Sequence, residues 1–350
     1  MGTTAYIAHP NYPNSSAEVD FLHLSSSLKS LGIQITQSLE SAEILISINH
    51  SPSHLKHFRR FAETNKLKVL VRLEPQATYP IQYVKRTIRR YDLVLTPGSL
   101  RNDTRRIMWP YFYQPNPLRP SNSAPTLARL GSQAFSWDSH EKWSARPLKL
   151  TLIASNKVSP TSHNNYGHRR RAVKDLSSGG LETFGEMWDW SFPLKIRERI
   201  KVAWGATKSG YFPNPFALAE GLVSTYPEVR GKVEDKHSII QKSKYSLVIE
   251  NDNQYVSEKI IDALVGGSLP FYIGGNLEAV GINPKVVRRV NDFDEVIDTI
   301  ESLTPAQIEE WRRSTHRLVA SSEFIDSWSG DKVYERIASI IIETFQSQPD

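Results

Sequence analysis

Ser257, Glu258 and Lys259 stand together between two apolar stretches, Tyr245–Ile249 before them and Ile260–Val265 after. The first stretch has the pattern of a buried strand. In the second, Ile260, Ile261, Leu264 and Val265 form one face of a helix suited to packing on a sheet. Ser257 then falls at the N-cap, which places Glu258 and Lys259 in the first turn beside unpaired backbone N–H groups. A helix start that follows a strand is a favourable place for phosphate, and a lysine there adds a full positive charge. The same residues also suit a helix that binds nothing, with Glu258 answering the dipole and Lys259 solvated.

Two further groups carry chemistry. His168-Arg169-Arg170-Arg171 opens a helical pattern after a strand ending near Ala154, with Ser155 and Asn156 at the strand's exit. Such a run forms either an anion site or a solvated face. Glu74 ends the apolar run Lys68–Leu73, and Pro75 turns the chain away. A carboxylate at a strand's carboxyl end can serve as a general base, or be an ordinary surface residue. Metal chemistry finds little here: Asp292 and Asp294 have suitable spacing but read as helix capping, and His163 and His168 lack a nearby carboxylate.

The elements that must position these residues alternate. Strands are expected at Ala5–Ala8, Glu43–Ile48, Lys68–Leu73 and Leu93–Thr96, with helices at Ser16–Leu31, Ser53–Thr64 and Ile81–Arg90 between them. A proline-rich connector, Gln114–Arg146, carries a short helix near Thr126–Gly131. A second alternating set follows: strand Leu148–Ala154, helix Arg169–Leu176, a strand after Leu181, the Tyr245–Ile273 block and strand Val286–Val290. Helices capped at Asp292 and Thr304 and a closing helix at Lys332–Phe345 complete it. The stretch Phe184–Gly231 has no assignable pattern. Alternation of this kind makes parallel sheets covered on both faces. Three parts are expected: an N-terminal α/β domain with linker over 1–145, a C-terminal domain over 146–330, and a helix and tail over 331–350.

The composition fits. A chain of 350 residues is long enough for two cores. Absence of cysteine excludes a disulfide scaffold and a thiolate metal site. The balance of 43 basic against 37 acidic residues is too mild for a nucleic-acid coat. The pairs Arg59-Arg60, Arg89-Arg90 and Arg105-Arg106 lack interleaved stacking aromatics. No Gly-x-Gly-x-x-Gly follows an early strand, which argues against a nicotinamide dehydrogenase. The first ten residues carry no charged leader, so no signal peptide is expected.

The run from Lys244 to Gly275 resembles the donor-binding signature of glycosyltransferase family 10, the α-1,3/α-1,4-fucosyltransferases. The resemblance is carried by Glu250-Asn251, Tyr255-Val256-Ser257-Glu258-Lys259, Pro270 and Gly274, with support from Gly231–Lys236, Ser155-Asn156 and Arg169. It covers about Leu148 to Leu303 and fades in the N-terminal part. It implies a GT-B-like fold, two Rossmann-like α/β domains facing each other across a cleft. It also implies inverting transfer of fucose, or a related sugar, from a GDP-sugar to a glycan hydroxyl. Lys259 and Arg169, or Arg170 if the register shifts by one, would hold the diphosphate in place of a metal. Asn251, Tyr255, Glu258, Ser155 and Asn156 would contact the donor, and Glu74 would be the base. No cofactor beyond the GDP-fucose substrate and no nucleic-acid partner are implied. The resemblance is to the soluble, cytoplasmic bacterial type, and a basic aromatic surface including Trp109, Phe112 and Tyr113 would suit the inner membrane face. The alternative is a non-catalytic nucleotide-sugar-binding protein of the same fold.

Overall fold

The computed structural model describes residues 2–8, 15–50, 66–111, 139–208 and 210–348. The expected helices at Ser53–Thr64 and Thr126–Gly131, and Phe112 and Tyr113, lie outside them. Contacts divide the chain into two compact units. One comprises Met1–Pro110, Ala206–Phe212 and Ser327–Asp350; the other comprises Tyr111–Gly205 and Pro213–Asp326.

The first unit is built on a parallel sheet of six strands: β1 (Thr4–Ala8), β2 (Gln34–Ile35), β3 (Ile44–Ile48), β4 (Leu67–Val71), β5 (Leu93–Thr96) and β6 (Arg105–Arg106). Their order is β2-β1-β3-β4-β5-β6. Every residue of β3 and β5 is buried, which is why these strands read as unbroken apolar runs. The helix Ser15–Ser30 stops at Gly32, whose φ of +85° glycine adopts without strain. The closing helix, Gly330–Gln346, packs on it; Tyr334 donates its hydroxyl to Asp20 at 2.7 Å and stacks on His23. That helix is therefore part of the first core.

The second unit holds the parallel sheet β11-β10-β9-β7-β8, with β7 at Leu148–Ile153, β8 at Leu181–Phe184, β9 at Ser243–Ile249, β10 at Leu269–Ile273 and β11 at Arg288–Arg289. An aromatic cluster anchors its core: Tyr245 meets Trp143 edge-on, and Phe271 and Trp311 pack beside it. Trp143 and Tyr111 both belong here, Tyr111 through a 3.1 Å hydrogen bond to Asp262. The division thus falls at Pro110, well before the expected Ala145.

Several local expectations change. The helix expected over Ile81–Arg90 breaks at Val84, which is extended, into a 3-10 turn (Pro80–Tyr83) and a single helical turn (Lys85–Ile88). The strand expected over Val286–Val290 shrinks to β11, because Asn283 and Pro284 start a 3-10 turn first. Asp292 caps nothing: the helix begins at Asp294, and the Asp292 carboxylate lies 3.9 Å from Arg171. Thr304 does cap, in a reciprocal pair with Gln307. The unassigned middle holds a 17-residue helix, Phe192–Lys208, and a short one at Pro215–Ala219 capped by Asn214. Phe192, Leu194, Ile200 and Trp204 of the longer helix are exposed, which blurs the apolar periodicity that would reveal it. Among the described residues, no helix is long and apolar enough to cross a membrane.

Candidate functional site

In the second unit the chain leaves β7 towards β8 on one side and returns to β9 on the other. The carboxyl ends of β7 and β9 therefore flank a switch point, the place where open parallel sheets bind ligands. Ser155 and Asn156 follow β7, and Glu250 and Asn251 follow β9.

Arg169, in the second turn of the helix Tyr166–Leu176, ties these ends together. Its guanidinium, 2% exposed, donates to the carbonyls of Ser155 (3.2 Å) and Ile249 (2.9 Å) and to Asn251 Oδ1 (2.6 Å). Burial pulls its pKa down, against the neighbouring Tyr166 and Glu250. Arg170 faces the other way. It donates to Asn156 Oδ1 and the Lys157 carbonyl, both at 3.2 Å, and pairs with Glu220 at 2.9 Å. Ser155 and Asn251 thus accept from Arg169 and Asn156 accepts from Arg170, so these sequence-predicted residues gather around two neighbouring arginines.

A second network lies at the start of the helix Glu258–Val265. Ser257 holds the N-cap position in an extended conformation, but its hydroxyl makes no capping bond. It donates instead to Glu250 Oε2 at 2.7 Å, while its N–H donates to Oε1 at 2.8 Å. Lys259 Nζ donates to Ser257 Oγ at 2.9 Å and lies 3.5 Å from both Glu250 Oε2 and Glu258 Oε1. Glu250 is fully buried, which raises its pKa against the pull of Lys259. Burial also acts upward on Glu258, but Lys259, Lys236 and the helix start outweigh it and bring it down to about 2. At neutral pH this helix start presents an ionised Glu258 next to an ammonium group with three donors.

Glycines make the arrangement possible. A Cβ on Gly274 would sit 2.6 Å from Glu250 Cγ, and one on Gly275 would sit 2.8 Å from the Tyr255 backbone. Gly275 also donates its N–H to the Tyr255 carbonyl at 2.9 Å. Tyr255 itself is 2% exposed, so the structure places its ring in the core. The loop before it is pinned by Asn165 N–H to the Asn251 carbonyl and by a bridge between Asn164 and Asp252.

A cavity beside these groups was not legible in the sequence. It measures about 140 Å³ and is lined by Lys236, Ser246, Val248, Glu258, Lys259 and Asp262, among others. Lys236 and Asp262 pair across 2.5 Å, and Asp262 also accepts from Tyr111. The signal available was Lys236 itself, at the start of a helix capped by Asp235. Among the described residues, no three His, Asp or Glu side chains converge in a way that would hold a metal ion.

Glu74 lies in the first unit, past the end of β4. Asn49, at φ +52° after β3, accepts the N–H groups of Leu73 and Glu74 on its Oδ1 at 2.8 and 3.0 Å. The Glu74 carbonyl accepts from Gln82 Nε2 and the Tyr83 hydroxyl. These bonds fix the backbone of a partly exposed carboxylate. Beside it, Arg72 is 1% exposed and stacks over Tyr83, and its Nε and Nη2 have no hydrogen-bond partner among the described residues. Trp109 is partly buried.

No family model matches the chain. A stretch of 76 residues is 40% identical to the α-(1,3)-fucosyltransferase FucT of Helicobacter pylori, covering 20% of this chain and 16% of that protein. Over 99% of the chain the fold resembles a solved α1,3-fucosyltransferase, at 15% identity and a TM-score of 0.57 with 91% of that chain covered. The GDP complex of an α1,3-fucosyltransferase matches equally, at 16% identity and TM-score 0.57, covering 99% of this chain and 92% of that one. Anabaena Alr3699/HepE, solved with UDP and glucose, matches at 9% identity and TM-score 0.55, over 98% and 100% of the two chains. Two parallel-sheet α/β domains of the GT-B glycosyltransferase type are therefore the fold of this chain, and the resemblance to the α-1,3-fucosyltransferases read from Lys244–Gly275 has a local sequence match beside it.

Proposed function

We propose that the chain is an inverting glycosyltransferase that moves fucose, or a closely related sugar, from a GDP-sugar to a hydroxyl of a glycan acceptor. The observation that carries this is that Lys259 lies at the start of the helix after β9 and Arg169 and Arg170 lie on the helix after β7, the two strands being neighbours in the sheet, with Arg169 bonded to the ends of both. In this reading Glu74 takes the proton from the acceptor hydroxyl as its oxygen attacks the anomeric carbon. The bond from that carbon to the diphosphate oxygen breaks, and GDP leaves with the electron pair. Lys259 and Arg170 meet the charge that grows on the departing diphosphate, a role a divalent cation fills in other transferases. Arg169, with its donors already on Ser155, Ile249 and Asn251, holds the two strand ends at a fixed spacing.

Titration calorimetry with GDP, UDP and NAD tests the donor class, and GDP-fucose with a glycan panel tests turnover. Tighter binding of GDP than of UDP supports the reading. Binding of NAD alone rejects it, and GDP-fucose binding with no transfer or hydrolysis favours a non-catalytic sugar-nucleotide binder.

A further inference from the structure

We propose that Glu220 is a resident substitute for the donor's diphosphate on Arg170, and that donor binding exchanges its carboxylate for phosphate oxygens. The inference rests on Arg170 being a phosphate ligand in the function proposed above.

The pair is unequal. The Arg170 side chain is 5% exposed, whereas that of Glu220 is 47% exposed on the turn that follows Pro215–Ala219. A buried guanidinium without an anion is strongly unfavourable, so an empty phosphate site at Arg170 needs a temporary occupant. The Arg170 Nε, with no hydrogen-bond partner among the described residues, leaves donor capacity that one carboxylate does not use.

The space is shaped for an exchangeable anion. Gly167 lies in the first turn of the Tyr166–Leu176 helix, and a Cβ there would overlap the Glu220 carboxylate. Gly221, at φ +69°, lies so close to Arg170 that a Cβ would overlap that side chain too. Bare backbone therefore flanks the ion pair on both sides. The turn does not depend on the pair for its own hold, because Arg199 donates to the carbonyls of Leu218 (2.6 Å) and Glu220 (2.9 Å). The side chain can swing out while the backbone stays anchored.

Exchange of this kind discriminates by charge. A neutral nucleoside gains nothing at Arg170 and leaves Glu220 in place. A diphosphate brings more negative charge and more oxygens than the carboxylate it displaces.

The test is Glu220→Gln, compared with the unaltered protein by calorimetry and thermal unfolding. Without ligand the variant should melt at a lower temperature, because Arg170 loses its counter-charge. GDP should nevertheless bind about tenfold more tightly, and guanosine affinity should not change. Glu220→Ala, which leaves the Arg199 bonds to the backbone available, should move GDP affinity in the same direction. Equal or weaker GDP binding in both variants overturns the exchange, as does a parallel change for guanosine. Inorganic pyrophosphate separates this failure from that of the proposed function. If neither protein binds GDP but the variants bind pyrophosphate more tightly, the exchange stands and the GDP-sugar reading falls.

Discussion

The buried carboxylate of Glu250 accepts both the backbone N–H and the hydroxyl of Ser257, at 2.8 and 2.7 Å. One side chain thereby fixes the start of the next helix and sets the platform on which Lys259 rests. Glu250→Ala should lower unfolding free energy by about 3 kcal/mol, the range for breaking a buried charged pair. Denaturant unfolding measures this; a loss within ordinary surface range would mean that Glu250 anchors nothing.

Lys259 is the group proposed to meet the diphosphate. Lys259→Ala should weaken GDP binding by about 2–3 kcal/mol, the value of a charge-assisted hydrogen bond, and bring transfer below detection. Unchanged GDP affinity in calorimetry would remove Lys259 from the phosphate site.

Glu74 should behave differently. Its replacement by alanine is expected to cut turnover by roughly 10²–10⁴, the usual contribution of a general base, while GDP-fucose affinity stays near normal. Full activity in that variant would assign the base to another residue.

What was legible in the sequence follows from how local each determinant is. Tyr255 to Lys259 could be read because cap, first turn and apolar face lie within a dozen residues. The true use of the Ser257 hydroxyl could not, since it depends on a loop folding back seven residues to Glu250. Glu220 gave no signal, as its partner Arg170 lies fifty positions earlier. The unit boundary falls at Pro110 rather than Ala145 for the same reason: Tyr111, which the expected 1–145 bounds place in the N-terminal part, meets Asp262, 151 residues on. The parallel strands were the easiest part, because burial on both faces writes an unbroken apolar run.

The Pro270–Gly275 stretch makes a prediction about packing. A methyl group at position 275 would press on three backbone atoms of Tyr255, which cannot rotate away. Gly275→Ala should therefore destabilise the protein by about 1–3 kcal/mol. Gly205 is the contrast: it sits in the Phe192–Lys208 helix with open space around it, so Gly205→Ala should stabilise by up to about 1 kcal/mol. Denaturant midpoints of the two variants should move in opposite directions.

His237 predicts how stability depends on pH. It is 5% exposed, and burial lowers its pKa to about 4, with Asp235 opposing and Lys236 reinforcing the shift. In the unfolded chain the imidazole titrates near its ordinary value of about 6.5. Between these values the unfolded state binds the proton and the folded state does not, so this contribution is complete above about pH 6.5 and is lost towards pH 4. The full window corresponds to about 3 kcal/mol. Unfolding midpoints measured from pH 7 to pH 4 should fall accordingly, and His237→Gln should flatten that part of the curve. An equally steep decline in the variant would place the acid sensitivity on other groups.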